Sequence, residues 1–149
     1  MAVQVLVADD HPLFREAIVH LLQRTITDVE LNEASSLAHT REILEDNRDI
    51  SLLLLDLKLS DTNGMDGLLF LKKTFPSLPV IVISAYDDNL VVQEALRYGA
   101  SGFIPKHLGM DDIAAANKIV LEGDVWFPGS GELQLDKRGQ PDFTELTAT

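Results

Sequence analysis

The chain has 149 residues, 46% of them hydrophobic, and its 24 acidic and 12 basic side chains give a net charge of −12. This length fits one domain with its own core, and the absence of cysteine excludes disulfide scaffolds, thiol catalysis and cysteine-based zinc sites. The acidity argues against direct binding to a nucleic-acid backbone. Because there is neither a signal peptide nor an apolar run long enough to span a membrane, we expect a cytoplasmic protein.

Apolar runs and helical stripes alternate along the chain up to residue 123. The runs predict strands at 3–8, 29–34, 52–56, 79–84 and 102–104. The stripes and their end signals predict helices from Pro12, from Ser35 or Ser36 to about Asn47, from Leu68 to Thr74, from Asp87 or Asp88 to Gly99, and from Gly109 to Gly123. Five such alternations predict a parallel sheet covered on both faces. The pattern then dissolves, so we predict a domain at 1–123 and a linker or tail at 124–149.

The most informative stretch is Leu52-Leu53-Leu54-Leu55-Asp56, an apolar run that leads directly into a charge. Its length and the turn residues soon after it favour a strand buried on both faces. A carboxylate at the end of a buried strand needs a partner. The carboxyl edge of such a sheet is also where open α/β folds bind their ligands.

Polar residues stand at the ends of the other predicted strands as well. Asp9 and Asp10 end the first strand, Ser84 ends the fourth, and Lys106 follows the fifth. Each has an ordinary interpretation by itself, as a helix-start turn, a helix cap or a solvated charge. Their joint placement at one edge, with Asp56, is what predicts a site.

Three carboxylates at one edge would repel one another, and a divalent cation removes that conflict. Mg²⁺ suits such oxygen ligands. Two carboxylates and one backbone carbonyl would be enough to hold it, and the carbonyl of Lys58 is the candidate for this third ligand. A carboxylate beside the cation could attack a phosphoryl group, with Lys106 neutralising the charge. Phe103 is predicted to lie in the core. The remaining candidates, His11, His39 and His107, lack metal-ligand spacing and are interpreted as surface residues.

Five stretches resemble the receiver domain of two-component response regulators, over about residues 3 to 123. They are Val5-Leu6-Val7-Ala8-Asp9-Asp10-His11-Pro12, Leu54-Leu55-Asp56-Leu57, Met65-Asp66-Gly67, Val82-Ile83-Ser84-Ala85 and Gly99-Ala100-Ser101-Gly102-Phe103-Ile104-Pro105-Lys106. The opening Ala8-Asp9-Asp10-His11-Pro12-Leu13-Phe14-Arg15-Glu16 and the stretch Gly102-Phe103-Ile104-Pro105-Lys106 are similar, more narrowly, to NarL/LuxR-type transcriptional regulators. The resemblance implies a flavodoxin-like α/β fold, a doubly wound parallel sheet of five strands in the order 2-1-3-4-5.

The resemblance also implies a role for each matching residue. Asp56 would accept a phosphoryl group from a sensor histidine kinase. The pair Asp9 and Asp10, with Asp56 and the Lys58 carbonyl, would hold Mg²⁺. Lys106 would pair with a phosphoryl oxygen. The switch residues would be Ser84, which moves onto the phosphoryl group, and Phe103, which turns inward when Ser84 moves.

The partners implied by the resemblance go beyond this chain. Regulators of the NarL/LuxR type bind DNA through a C-terminal helix-turn-helix domain, and Phe143-Thr144-Glu145-Leu146-Thr147 is similar to the lead-in to one. We therefore expect the chain to be the receiver portion of a longer regulator that acts on transcription. Homodimerisation stays open, and no membrane partner is expected.

Three features depart from the family pattern. Ser60 stands where the family usually has a proline, in a loop that is longer than usual, so the stiffness of this loop is open. His107 stands where many members have a proline, so we expect the usual cis bond to be absent. Asn117 replaces a common aliphatic on the last helix and is expected to alter its packing or its partner face.

Other functions remain as alternatives. A stand-alone receiver would act through protein contacts, and a receiver that is never phosphorylated would lack part of the residue set that is intact here. An aspartyl phosphatase of the haloacid dehalogenase type needs a second aspartate where Lys58 stands. A flavodoxin needs a glycine-rich phosphate loop in place of Asp-Asp-His-Pro.

Overall fold

The computed structural model describes residues 2–86 and 88–128, together with two short strands farther along the chain. Within residues 2–128, five strands alternate with five helices: β1 (Val3–Ala8), α1 (Pro12–Thr25), β2 (Val29–Ala34), α2 (Leu37–Asp46), β3 (Leu52–Asp56), α3 (Asp66–Thr74), β4 (Val80–Ser84), α4 (Asn89–Arg97), β5 (Gly102–Pro105) and α5 (Met110–Leu121). The two later strands, β6 (Gln134–Leu135) and β7 (Pro141–Asp142), pair antiparallel.

The five strands form one parallel sheet in the order β2-β1-β3-β4-β5, as the resemblance implied. The register places Ala8 of β1 beside Leu55 of β3, Asp56 beside Ile83, and Ser84 beside Pro105. The predicted α/β fold class and strand order are therefore confirmed. All strands point the same way, so the residues that follow them emerge at one edge.

The central strand is buried on both faces because its side chains alternate between two cores. Leu52 and Leu54 pack with residues of α1 and α5, while Leu53 and Leu55 pack with residues of α2, α3 and α4. All four leucines are at most 1% exposed. With both faces of the sheet covered, polar side chains of the central strands are confined to the strand ends.

Local signals at the helix ends mostly act as predicted. Pro12 opens α1, Ser36 accepts a hydrogen bond from the His39 N–H at the start of α2, and Asp88 accepts one from the Val91 N–H at the start of α4. Gly99, at a φ of 95°, follows α4 in the left-handed region. The alternative start at Asp87 lies outside the described residues.

The start of α3 differs from the prediction. The helix begins at Asp66 and not at Leu68, because Gly67 is buried in its first turn instead of lying in the preceding loop. A Cβ on Gly67 would meet the Thr62 Oγ1 at 3.2 Å. Glycine therefore allows the loop to pack closely on the first turn of α3. The sequence prediction placed Gly67 in the preceding loop.

The chain remains packed for a few residues after α5. Trp126 forms a parallel bridge with Gly102, its N–H donates to the Ser101 carbonyl, and its carbonyl accepts from the Phe103 N–H. Phe127 is only 2% exposed. The domain boundary at residue 123 stays a prediction. Beyond 128, and apart from β6 and β7, the predicted linker or tail lies outside the described residues.

Asn117 is fully buried on α5, where the family pattern has an aliphatic residue. Its Nδ2 donates to the Ile113 carbonyl at 2.8 Å, and within the described part of the chain its Oδ1 has no hydrogen-bond partner. The packing of this helix therefore includes a buried polar group. Of the helices described, none is long and apolar enough to cross a membrane.

Candidate functional site

The carboxyl edge of the sheet brings Asp9, Asp56 and Lys106 into direct contact. The Lys106 ammonium donates to Asp56 Oδ2 at 3.0 Å and lies 3.2 Å from Asp9 Oδ2. These residues are distant in sequence, and each follows or ends a different strand of the parallel sheet. The topology therefore creates the cluster, since parallel strands end at a common edge.

Asp9 is a fully buried carboxylate. Burial raises its pKa above the ordinary value of 3.8, and the neighbouring charge of Asp56 acts in the same direction. A hydrogen bond from the His11 N–H at 2.7 Å and the Lys106 ammonium oppose this rise without cancelling it. The ionised form of Asp9 is therefore poorly compensated and would be stabilised by another cation.

Asp56 is 1% exposed, and both of its oxygens have partners. Oδ1 accepts from the backbone N–H of Lys58 at 3.0 Å, while Oδ2 accepts from Lys106. The Lys58 side chain points elsewhere: its ammonium donates to the Tyr86 hydroxyl at 2.8 Å and lies 4.2 Å from the centre of the Tyr86 ring. The backbone of Lys58, and not its charge, adjoins the buried carboxylate.

Ser84 occupies the end of β4 and is 2% exposed. Its hydroxyl accepts a hydrogen bond from the Tyr86 N–H at 3.0 Å, and its backbone carbonyl accepts from the Lys106 N–H at 2.8 Å. The Ser84 side chain therefore belongs to the rim of the site but is bonded to its own loop. Phe103 is fully buried on β5, so its prediction as a core residue is confirmed.

His11 is an exposed residue, as interpreted from the sequence, but it also lies against the acidic cluster, which the sequence interpretation missed. Although its side chain is 60% exposed, Nδ1 lies 3.2 Å from Asp9 Oδ1, 3.3 Å from Asp10 Oδ1 and 3.5 Å from Asp56 Oδ2. The same atom lies 2.9 Å from the Lys106 ammonium. Spacing alone does not reveal this position, because the turn from β1 into α1 folds the imidazole over the site.

The other two histidines considered are exposed, as predicted, and the Lys106–His107 peptide bond is trans. Sequence reasoning also missed two aromatic neighbours of the site. Phe14 presents its ring 4.9 Å from the Lys106 ammonium, and the Tyr86 ring lies 4.2 Å from the ammonium of Lys58, two residues after Asp56. Phe14 belongs to the opening motif and Tyr86 to none, and the contacts of both depend on side-chain direction.

Asp9, Asp10, His11 and Asp56 each offer one ligand atom, and these atoms lie within 4.8 Å of one another. Within the described residues, Asp9 Oδ2 and Asp10 Oδ1 are buried oxygens without a hydrogen-bond partner, although both have a cationic or imidazole nitrogen nearby. Such spare carboxylate oxygens fit a hard cation. The cluster can therefore hold a metal ion.

The long loop after Asp56 is tied to helix α2 by Asp61. The carboxylate of Asp61 accepts from the Leu37 N–H at 2.7 Å and from the Ala38 N–H at 3.0 Å, both in the first turn of α2. Slight burial raises the pKa of Asp61, but these N–H groups outweigh it and hold the pKa below 3.8. The loop therefore has an anchor that its sequence did not reveal.

An open cleft of about 320 Å³ adjoins the site between this loop and α4. Its lining includes Lys58, Met65, Ser84 and Tyr86. The end of β4 and the residue after Asp56 thus share one solvent-accessible space.

Comparison with known proteins places these features in context. The family model of the response regulator receiver domain matches residues 5–118. The glycerol metabolism activator of Pseudomonas putida is 37% identical over 125 residues, which are 84% of this chain and 57% of that protein. The DNA-binding transcriptional activator EvgA of Escherichia coli K12 is 32% identical over 84% of this chain and 60% of its own length.

The fold of this chain is also similar to that of a solved response regulator. The LuxR family DNA-binding response regulator from Silicibacter pomeroyi superposes with a TM-score of 0.76 and 32% identity, over 86% of this chain and 98% of that one. The chain spans less than two thirds of the two curated relatives. The similarity therefore concerns the part of each relative that corresponds to the sheet, its helices and its carboxyl edge.

Proposed function

The chain belongs to the response regulator receiver domains, the signalling switches of two-component systems, and from this premise we propose that Asp56 is its phosphoacceptor. The donor is a phosphohistidine of a sensor kinase. An Asp56 carboxylate oxygen attacks the phosphorus, the phosphorus–nitrogen bond breaks, and the kinase imidazole takes the electron pair. The product is an aspartyl phosphate, and its later hydrolysis by water resets the switch.

One observation carries this proposal: a buried carboxylate whose second oxygen lies 3.0 Å from a lysine ammonium. In a site from which water is largely excluded, a positioned positive charge stabilises a phosphoryl group far more than it would in bulk water. Lys106 is only 16% exposed in its side chain and can remain beside Asp56 during the transfer. Its role is to neutralise charge on a phosphoryl oxygen.

The cation that fits best is Mg²⁺, held by the carboxylates of Asp9, Asp10 and Asp56 with the Lys58 carbonyl. When bound, it supplies positive charge that offsets the repulsion between Asp56 and the incoming phosphoryl group. The unpartnered oxygens of Asp9 and Asp10 support this assignment. Asp9 would hold the ion from inside the protein, and the half-exposed Asp10 from the solvent side.

Ser84 and Phe103 form the proposed switch. On phosphorylation, the Ser84 hydroxyl leaves the Tyr86 N–H and donates to a phosphoryl oxygen. The ring of Phe103, which the resemblance expects to turn inward with Ser84, is already buried before phosphorylation, so Ser84 is the one of the two that moves. Hydrogen bonds to charged groups contribute about 1.5–3 kcal/mol each. Two such bonds, from Ser84 and Lys106, approach the ~5.5 kcal/mol that takes a two-state population from 1:99 to 99:1.

The proposed output is control of transcription from the cytoplasm. Relatives that match most of this chain are named an activator of glycerol metabolism and a DNA-binding transcriptional activator. This chain corresponds to little more than half of either. We assign DNA binding to a domain C-terminal to the receiver, and the phosphoryl-dependent signal to the surface of α4, β5 and α5, where receivers can also pair as homodimers.

The test uses acetyl phosphate as donor and intact-protein mass as readout. With Mg²⁺, the wild-type chain should gain one phosphoryl group, and Asp56→Asn should gain none. Asp66→Asn is the matched control, because Asp66 begins α3 outside the cluster and should leave the gain unchanged. A phosphoryl group on Asp56→Asn would remove Asp56 from the proposed role.

A further inference from the structure

The Lys106 ammonium lies among three atoms of two kinds, carboxylate oxygens and an imidazole nitrogen, each of which could also be a metal ligand. It lies 3.0 Å from Asp56 Oδ2, 3.2 Å from Asp9 Oδ2 and 2.9 Å from His11 Nδ1. An ammonium group can only donate hydrogen bonds, so the tautomer of His11 with its proton on Nε2 presents the Nδ1 lone pair to the ammonium. The protein thus already surrounds one positive charge with two carboxylate oxygens and one imidazole nitrogen.

The backbone holds His11 in this position. His11 is the N-cap residue of α1, its N–H donates to Asp9 Oδ1 at 2.7 Å, and its carbonyl accepts from the Arg15 N–H at 2.9 Å. Pro12 fixes the first helical residue directly after it. Because the main chain of His11 is bonded on both sides, the imidazole has only its own side-chain torsions with which to leave the cluster.

We propose that His11 is a nitrogen ligand of the cation site and sets its metal selectivity. The inference rests on the proposed function, because it concerns the same aspartate cluster. Oxygen ligands favour Mg²⁺, whereas imidazole favours later transition ions such as Co²⁺, Ni²⁺ and Zn²⁺. A site that adds one imidazole to its carboxylates therefore binds Co²⁺ over Mg²⁺ with a larger margin than a set of oxygens alone.

The cation that the wild-type protein carries would then depend on supply as well as on affinity. Mg²⁺ fills the site where it is in large excess, and a later transition ion competes where it is not. His11 uses its Nδ1 for this bond, leaving its exposed Nε2 to carry the proton. Lys106 keeps its contact with Asp56 Oδ2, while the lone pair of His11 Nδ1 turns from the ammonium to the ion.

The test compares Co²⁺ and Mg²⁺ binding by calorimetry in the wild type, His11→Asn and His20→Asn. Asparagine can place an oxygen near the position of Nδ1, and it is a favourable N-cap residue. His20 lies on the same helix, 66% exposed in its side chain and 3.8 Å from Glu16, so its substitution controls for surface histidines that bind cobalt.

In His11→Asn, the ratio of Co²⁺ to Mg²⁺ affinity should fall by about tenfold or more, since losing even a partner that supports a ligand costs 10–100-fold in metal affinity. His20→Asn should keep the wild-type ratio. With Mn²⁺ as the probe, pulsed electron paramagnetic resonance should detect an imidazole nitrogen coupled to the ion in the wild type and in His20→Asn, but not in His11→Asn.

Two kinds of failure can be told apart with Asp56→Asn. If Asp56→Asn weakens both ions but His11→Asn leaves their ratio and the nitrogen coupling unchanged, the role of His11 is overturned while the aspartate site stands. If the wild type binds neither ion, or if Asp56→Asn changes neither affinity, the cation site of the proposed function fails, and the role of His11 fails with it.

Discussion

The two ends of the parallel sheet differ in which charged side chains they hold and in what those side chains contact. At the carboxyl end, two buried carboxylates, Asp9 and Asp56, face one ammonium, Lys106. At the amino end, a cleft of about 280 Å³ lies between the ends of α2 and α3. Two cationic side chains close to it, Lys72 and Arg48, contact backbone carbonyls and an aromatic ring. The same sheet therefore has one end with unbalanced buried charge and one end without it.

The amino end satisfies its cations with uncharged partners. Lys72 donates to the carbonyls of Pro76 at 3.0 Å and Leu78 at 2.8 Å, and the Arg48 guanidinium lies 5.1 Å from the centre of the Phe75 ring. Pro76 and Leu78 belong to the loop between α3 and β4, so the carbonyls that hold Lys72 come from this loop. The direction of the parallel strands therefore determines which end of the sheet gathers carboxylates and which end stabilises cations with backbone carbonyls.

The largest expected effect comes from removing the lysine at each end. Lys106→Met leaves Asp9 and Asp56 buried without their ammonium, and breaking a buried ion pair costs about 3–5 kcal/mol. Lys72→Met removes bonds to two carbonyls and should cost only about 1 kcal/mol. Urea unfolding in a buffer free of divalent cations measures both changes in the free energy of unfolding.

Addition of Mg²⁺ sharpens this test. If an ion can replace the lost ammonium, Mg²⁺ should raise the stability of Lys106→Met more than that of the wild type, and Lys72→Met should respond like the wild type. Equal losses in stability for the two lysine variants would contradict the comparison, because the two ends would then depend on their cations to the same degree.

Asp9→Asn should have the next largest effect, and it should stabilise the protein. The pKa of Asp9 is raised in the folded state, so wild-type folding is more favourable when Asp9 is protonated. Its contribution should therefore increase as the pH falls through the folded pKa toward 3.8 and decrease above that range. Removing the charge should add on the order of 1 kcal/mol at neutral pH without Mg²⁺.

Unfolding curves measured across this pH range check the sign. Relative to the wild type, Asp9→Asn should gain most at neutral pH, and the gain should shrink as the pH approaches the ordinary aspartate value. Asp9→Asn should also gain less than the wild type from added Mg²⁺, since it lacks one ligand. A variant that is less stable than the wild type at neutral pH would mean that Lys106 compensates the Asp9 charge fully.

Much of the carboxyl end could be predicted from the sequence, and the reason is topological. Apolar runs located the strands, and parallel strands bring whatever follows them to one edge, so Asp9, Asp56 and Lys106 could be placed together without coordinates. The four-leucine strand was predicted with its exact bounds, Leu52–Asp56. Strand ends are thus the part of a site that periodicity can reveal.

The remaining contacts depend on directions that a sequence pattern does not encode. His11 and Phe14 reach the cluster because α1 leaves β1 at a particular angle, and Asp61 caps α2 from a loop distant in sequence. At the amino end, no sequence pattern predicted the contact between Arg48 and Phe75, because it forms only where the ends of α2 and α3 lie together. Loop paths and rotamers decide these contacts, and they follow from the packed fold.

An effect of similar size but opposite direction is expected from Asp61→Ala at the carboxyl end. The change removes the acceptor for two N–H groups of the first turn of α2, and loss of a helix-capping side chain costs about 1 kcal/mol. Because the pKa of Asp61 is lowered in the folded state, its stabilisation is present above 3.8 and is lost as the pH falls through the lower folded pKa. This sign is opposite to that of Asp9.

Asp49→Ala at the amino end is the matched control for charge. Asp49 is exposed, and its substitution should change stability by less than about 0.5 kcal/mol. Hydrogen exchange at Leu37 and Ala38 gives a local readout, which should speed up in Asp61→Ala only. Unchanged exchange at those two amides would show that α2 does not need the loop.

The smallest expected effect concerns the cation held by a ring at the amino end. Arg48→Gln removes the charge over Phe75, and an exposed cation–π contact contributes about 0.5–1 kcal/mol. A double-mutant cycle with Phe75→Leu isolates this contact from the loss of the ring's own packing. We expect a favourable coupling near the lower limit, little changed by Mg²⁺, because no carboxylate takes part. A coupling of zero would mean that the ring does not stabilise Arg48, and that of these two amino-end contacts the bonds of Lys72 to the loop carbonyls alone contribute.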